Sequence, residues 1–143
     1  MIRSHLRRRC GFTLIELTVA LAIAGILATA AWGGYARHMI KARRAEGRAA
    51  VLQVLLQQER QFSYRRSYRA FQPDSSETQF KWYSGERPER SVYHVAAAAC
   101  EGEDLRSCVR VTATPTGMQR DDQCGALYAD TRGRRGPAVD GCW

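Results

Sequence analysis

The sequence predicts an α+β protein: a long N-terminal helix, apolar enough in its first half to span a membrane, packed on a small antiparallel β-sheet with a disulfide-bounded C-terminal region. Three observations predict it. An apolar run from Phe12 to about Tyr35 contains a single charged residue, Glu16. From Ala36 to about Tyr68 there is no proline, and apolar residues recur at helical spacing. Beyond residue 68 the texture changes to short alternating runs punctuated by Gly, Pro and Asp.

The 143 residues carry 22 basic and 14 acidic side chains, a formal charge of +8, and only Lys41 and Lys81 are lysines. Arg3, Arg7, Arg8 and Arg9 precede the apolar run with no acid among them; set apart, they leave +4 for the rest. A membrane helix needs about 20 apolar residues. A basic flank ahead of such a run stays cytoplasmic while the chain beyond it is exported. The basicity therefore reads first as an address, and only second as a surface for nucleic acid. A cleaved secretory signal would show a short apolar stretch followed by a small-x-small site. Here the run is long, and Gly11 stands before it.

Glu16 is the anomaly of the run. An ionisable group inside a membrane helix is costly, about 3 kcal/mol for Asp at the centre on insertion scales, and such groups normally have a partner. A cut after Gly11 would place a new α-amine on Phe12 at about the depth of Glu16. Supplied by a neighbouring copy, that amine would link subunits and set their axial register.

The residues Gly11-Phe12-Thr13-Leu14-Ile15-Glu16-Leu17, behind a short basic leader and ahead of Ala/Leu/Ile/Gly residues to Leu27, resemble the processing motif of type IV prepilins and related pseudopilins. The resemblance implies cleavage after Gly11 by a prepilin peptidase and methyltransferase, N-methylation of Phe12, and contact between Glu16 and the Phe12 amine of an adjacent subunit during assembly. Many members of that family carry Pro near the position of Gly33, whereas this chain has Gly33-Gly34. Glycine weakens a helix by about 1 kcal/mol relative to Ala. The pair, with Gly25, reads either as a place to bend or as small residues for close packing in the membrane.

Past the membrane, Ala45, Ala49, Leu52 and Leu56 form a stripe, widened by Val51, Leu55 and Phe62, with only Gly47 interrupting. Arg44, Arg48, Gln53, Gln57 and Arg60 are expected on the opposite side. A continuous helix from Phe12 to Tyr68 would be about 85 Å long at 1.5 Å per residue. It resembles the pilin spine. Gln57-Gln58-Glu59-Arg60, followed by Phe62, Tyr64 and Tyr68, is similar to the helix end of the PilE-like minor pilins, with the aromatics expected in packing. The chain thus divides into 1–11, a cleaved leader; 12–36, a transmembrane and assembly helix; 37–68, the amphipathic half of that helix; and 69–143, a small β domain.

In that domain, Val92–Ala97, Cys108–Ala113 and Gly125–Ala129 are strand candidates, the polar residues Glu101–Ser107 form a long hairpin loop, and 132–137 is expected as a loop. Cys10 leaves with the leader, so the exported chain keeps an even set: Cys100, Cys108, Cys124 and Cys142. Disulfides persist in exported compartments. Four cysteines allow three pairings, and nearest-neighbour pairing, Cys100 with Cys108 and Cys124 with Cys142, is the expectation. No C-x-x-C pair is present, so no metal is expected at these residues. The tail, from Ala113-Thr114-Pro115 through Cys124-Gly125 to Cys142-Trp143, also resembles that of the PilE-like minor pilins. The resemblance implies that the last disulfide brackets a surface-exposed variable region, with Arg132, Arg134 and Arg135 as a local positive patch.

No catalytic constellation stands out, and neither an enzymatic activity nor a cofactor is expected. There is no G-x-S-x-G, P-loop or H-E-x-x-H. His5 falls in the leader, and His38 and His94 have no evident catalytic companion. Asp121-Asp122 is expected as a solvated turn rather than a calcium site. The resemblance implies a structural subunit, a minor pilin supporting pilus assembly, twitching motility and adhesion. It starts in the bacterial inner membrane with its C-terminal domain periplasmic, and ends in the extracellular fibre. Its partners would be other pilin subunits, the peptidase and the inner-membrane assembly machinery. The alternatives are a DNA-binding pilin for DNA uptake, with Arg60, Arg65, Arg66, Arg69, Arg132, Arg134 and Arg135 as candidate phosphate contacts, a type II secretion pseudopilin, and a signal-anchored periplasmic enzyme.

Overall fold

A computed structural model of the chain describes residues 12–75 and 79–143. The leader, with the expected cut after Gly11, lies outside the described residues. The chain separates into two compact units, residues 1–38 and 39–143. In element order it carries helix α1, Leu14–Arg65, then strands β1, Tyr93–Ala99, β2, Val109–Pro115, β3, Leu127–Asp130, and β4, Arg135–Gly136. The strands form one antiparallel sheet in the order β1-β2-β3-β4. This is the α+β arrangement that the sequence predicts, one long helix followed by a small antiparallel sheet.

In the first unit Phe12 and the described side chains of α1 are solvent-exposed, including Leu14, Ile15, Leu17, Ile26 and Leu27. By length and composition this helix can cross a membrane. A bare apolar surface of this extent marks a membrane or partner contact.

The second unit holds the core. Val51 and Val54 of α1 pack with Val95 and Ala97 of β1, Val109 and Val111 of β2, and Leu127 and Ala129 of β3, all essentially buried. Burial of each such aliphatic side chain is worth about 1.5–3 kcal/mol. The strands alternate as a one-sided sheet requires: Tyr93, Val95 and Ala97 point inward, while His94 and Ala96 do not.

Of the stripe expected to face the core, Val51, Leu55 and Phe62 pack there, but its four central members do not. Ala45, Ala49, Leu52 and Leu56 are exposed, while Arg44, Gly47, Val51, Val54 and Gln58 are buried. At 3.6 residues per turn these two sets lie on nearly opposite sides of the helix. Polar residues defeated the hydropathy pattern. Arg44 and Gln58 are buried because they find partners, and Gly47 is buried because the Tyr93 ring lies on it, where a Cβ would approach the ring to 2.9 Å. Gln58 brackets the Arg69 backbone, donating to its carbonyl at 2.7 Å and accepting from its amide at 2.9 Å. The helix accordingly ends at Arg65, with Arg66 in the left-handed region at φ 56°, and the chain turns back under it.

Residues expected as a loop contain β4. Asp130 makes the turn before it: its Oδ1 accepts the amides of Arg132 and Arg134, each at 3.0 Å, and Gly133 supplies a φ of +81°. Gly136 then fits beneath the Tyr128 ring, where any side chain would collide. Disulfides join Cys100 to Cys108 and Cys124 to Cys142, with Cα–Cα distances of 5.5 and 5.7 Å. The first closes the β1–β2 hairpin and the second ties the C-terminus to the turn before β3. Closing a loop of about 15 residues is worth on the order of 3 kcal/mol, a substantial share for a small domain.

Candidate assembly segment and nucleic-acid surface

The start of α1 explains the position of Glu16. The Glu16 amide donates to Thr13 Oγ1 at 3.3 Å, and the Leu17 amide donates to the Thr13 carbonyl at 3.2 Å. Thr13 is thus the N-cap and Glu16 the third helical residue, the two ends of a capping-box sequence. A carboxylate in the first turn is favoured by the helix dipole. The local sequence therefore stabilises a helix that begins immediately after Phe12 and carries its one acid at that end. Phe12 itself is 85% exposed.

In the second unit the residues 65–69, the β1–β2 hairpin and the β3–β4 turn converge. The Tyr68 amide donates to the Leu105 carbonyl at 2.8 Å, and the Tyr68 ring stacks on Phe62. Burial, with a hydrogen bond to Glu59, pushes the Tyr68 phenol up; Thr131 and Arg132 act on it in the opposite sense. Arg65 and Arg69 line the same shallow groove as Tyr68. The structure thus brings Arg65, Arg69 and Arg132 to one end of the domain.

The three arginines of the bracketed region differ in their surroundings. Arg132 donates to Glu103 at 2.7 Å, which holds the Glu103 carboxyl below its ordinary range. Arg134 pairs with Asp130 at 2.7 Å and lies 3.7 Å from Glu103. The Arg135 guanidinium sits over the Trp143 ring at 5.6 Å, while the Trp143 indole donates to the Gly136 carbonyl at 2.6 Å. Two of the three charges are therefore partly neutralised in place. Arg110, which lies over the Tyr128 ring at 4.7 Å and 3.6 Å from Asp130, adds a cation that sequence reasoning did not single out.

Sequence reasoning also missed a buried polar cluster. Arg44 donates through Nε to Asp122 Oδ2 at 3.0 Å, through Nη2 to Asp122 Oδ1, and through Nη1 to the Gly141 carbonyl at 2.9 Å. Gln119 Nε2 reaches Asp122 at 2.9 Å, the Tyr93 hydroxyl at 3.2 Å and the Ile40 carbonyl at 3.3 Å. The expected solvated turn is thus half wrong. Asp121 is exposed, but Asp122 is 8% exposed and carries the bidentate pair. Burial pushes the Asp122 carboxyl up, but the Arg44 hydrogen bonds, the Cys124 amide and the Arg44 charge outweigh it and leave it below the usual carboxylate range. Hydrogen bonding to Asp122 raises Arg44 in turn. Together with Arg48, which donates to the Cys142 carbonyl at 3.3 Å, this cluster fastens the bracketed region to α1. The available signal was the 44, 47, 51, 54, 58 spacing, masked because its members include Arg, Gly and Gln.

Among the described residues, Cys100, Cys108 and Asp130 place ligand-type atoms within 4.8 Å of one another. The two sulfurs are bonded to each other, so the group offers no thiolate to a metal.

Residues 34–128 match the family described as type IV minor pilin ComP, DNA uptake sequence receptor. Residues 6–32 match the prokaryotic N-terminal methylation motif. Among solved structures, a type IV pilin from Shewanella oneidensis is 25% identical, over 73% of this chain and 97% of that one, with a TM-score of 0.49. No curated protein matches significantly.

Proposed function

Because this chain belongs to the type IV minor pilin family, we propose that it is cut after Gly11, methylated on Phe12, held in the inner membrane by the apolar first half of α1 with residues 39–143 in the periplasm, and then drawn into a pilus fibre. The observation that carries this reading is an exposed apolar helix that starts directly after Phe12 and bears Glu16 in its first turn. In the membrane the apolar surface faces lipid. In a fibre it faces the same surface of neighbouring subunits, so the exchange between the two environments is cheap and reversible. Direction comes from Glu16, which hydrocarbon disfavours and which a neighbour's Phe12 amine would satisfy. The role is structural rather than enzymatic, in support of pilus assembly, twitching motility and adhesion. Fibres sheared from cells producing the chain are expected to contain it at a small fraction of the main subunit; recovery from membranes alone would contradict the proposal.

The second reading is a DNA-binding pilin, favoured by the gathering of Arg65, Arg69 and Arg132 at one end of the domain and by the receptor description that the family carries. Arg134 and Arg135 are the neighbouring candidates. Each phosphate neutralised contributes about 0.9 log unit of affinity per log unit of salt on duplex DNA. With Arg132 and Arg134 engaged by carboxylates, a slope of about 2–4 is expected from a salt titration of the processed chain against duplex DNA. No binding at low salt would remove this reading.

A further inference from the structure

We propose that a groove between α1 and the segment preceding β1 is a binding site for a neutral saccharide. Its walls are Gln53 and Gln57, one turn apart on α1, and Gln79, Trp82 and Tyr83 on the opposing segment. It lies outside the disulfide-bounded region and outside the arginine-bearing end.

The groove is pinned on both sides. The Val95 amide donates to the Trp82 carbonyl at 2.7 Å and the Ser84 amide to the Tyr93 carbonyl at 2.9 Å, so residues 82–84 run along the edge of β1. Toward the helix, the Lys81 amide donates to Gln57 Oε1 at 3.3 Å. The Trp82 ring is held edge-to-face against both His94 and Tyr83, with centroids 5.4 Å apart in each case. Phe80, which also lines the groove, is buried and stacks on Phe71 at 5.2 Å. An aromatic surface braced in this way meets a ligand with little loss of side-chain freedom.

The chemistry of the walls selects the ligand. Among the described residues, no carboxylate lines the groove. Among the described residues, the one charge on the walls, the Lys81 ammonium, lies over the Tyr83 ring at 5.2 Å, too little to hold a polyanion. What the described walls offer is polar and two-sided. Each amide presents both donors and an acceptor, and among the described residues the Gln53 and Gln79 side chains make no hydrogen bond. Beside them stand Trp82 and Tyr83, both half-buried. A pyranose has the matching composition, hydroxyls around its rim that both donate and accept, and a C–H face that packs on an aromatic ring.

The test uses the full processed chain in phosphatidylcholine nanodiscs, which contain no sugar. Chitohexaose, cellohexaose and maltohexaose are titrated and followed by saturation-transfer NMR on the ligand. Saturable binding of at least one hexasaccharide is expected, weakened about tenfold by Trp82→Ala and several-fold by Gln53→Ala, in line with the loss of one stacking contact or one hydrogen bond. Gln53 is exposed, so its variant keeps the fold and the test stands even if Trp82→Ala does not. Failure of all three sugars to bind, or binding unchanged in Gln53→Ala and in a folded Trp82→Ala, overturns the proposal. So does binding of a dT12 oligonucleotide that Trp82→Ala weakens, with no binding of any of the sugars. Incorporation into fibres is read separately, so failure here leaves the assembly reading untouched.

Discussion

Replacing Asp122 by alanine is expected to destabilise residues 39–143 by about 3–5 kcal/mol, the usual consequence of stranding one charge of a buried ion pair. Arg44 would be left at 5% exposure with only the Gly141 carbonyl as partner, and Gln119 and the Tyr93 hydroxyl would lose an acceptor. With native stabilities of about 5–15 kcal/mol, such a loss brings the domain close to unfolding at ambient temperature. Denaturant melts of the processed chain measure it. A double replacement by apolar residues, Arg44→Met with Asp122→Leu, is expected to recover much of the loss, because it also removes the desolvation of both charges. The same pair sets an acid limit. The Asp122 carboxyl is depressed in the folded state, so its contribution is complete above the unfolded value of about 3.9 and disappears as pH falls through the lower folded value. Above that window Asp122→Ala should remove a constant increment of stability, and in strong acid the variant and the parent should converge. An Asp122→Ala chain within 1 kcal/mol of the parent at neutral pH would show that the cluster is not the fastening described.

Much of this was legible in the sequence, and the rest was hidden for identifiable reasons. The helix announced itself because an apolar run to Tyr35 is followed by proline-free residues to Tyr68. The strands announced themselves through alternation, within one or two residues of β1, β2 and β3. The face of α1 did so only through Val51, Leu55 and Phe62, because hydropathy places Arg44 outward and gives neither Gln58 nor Gly47 a reason to be inside. Each is buried for a reason that exists only in three dimensions: Asp122, the Arg69 backbone and the Tyr93 ring. The stripe of Ala45, Ala49, Leu52 and Leu56 is real, but the domain does not cover it. Likewise β4 is two residues long, set by the Asp130 side chain and by space under Tyr128, neither of which a periodicity reports. Of the candidate phosphate contacts, the sequence showed the arginines but not the carboxylates of Glu103 and Asp130 that engage two of them.

Glu16→Ala is expected to leave membrane insertion intact or slightly improved, since it removes a carboxylate that hydrocarbon disfavours, and to lower incorporation into fibres by more than about tenfold. A hydrogen bond to a charged group is worth about 1.5–3 kcal/mol, and the pairing with a neighbouring Phe12 amine would be lost outright. The Thr13 cap survives the change, because it uses the backbone amide of residue 16. A folding defect is therefore not expected, and intact disulfides in the membrane pool would show that the variant arrives folded. Glu16→Gln keeps the shape and a hydrogen-bonding group but not the charge. It should resemble the alanine variant if charge directs assembly, and the parent if side-chain shape suffices. Equal amounts of Glu16→Ala and parent in sheared fibres would contradict the pairing.

The most direct test of the whole account is the intact mass of the chain recovered from sheared fibres, with its N-terminal peptide sequenced. The account predicts a polypeptide that begins at Phe12, carries one added methyl group on its amine, and retains both disulfides. A chain in the fibre that still carries Arg3, Arg7, Arg8 and Arg9, or one that begins beyond Glu16, would contradict it.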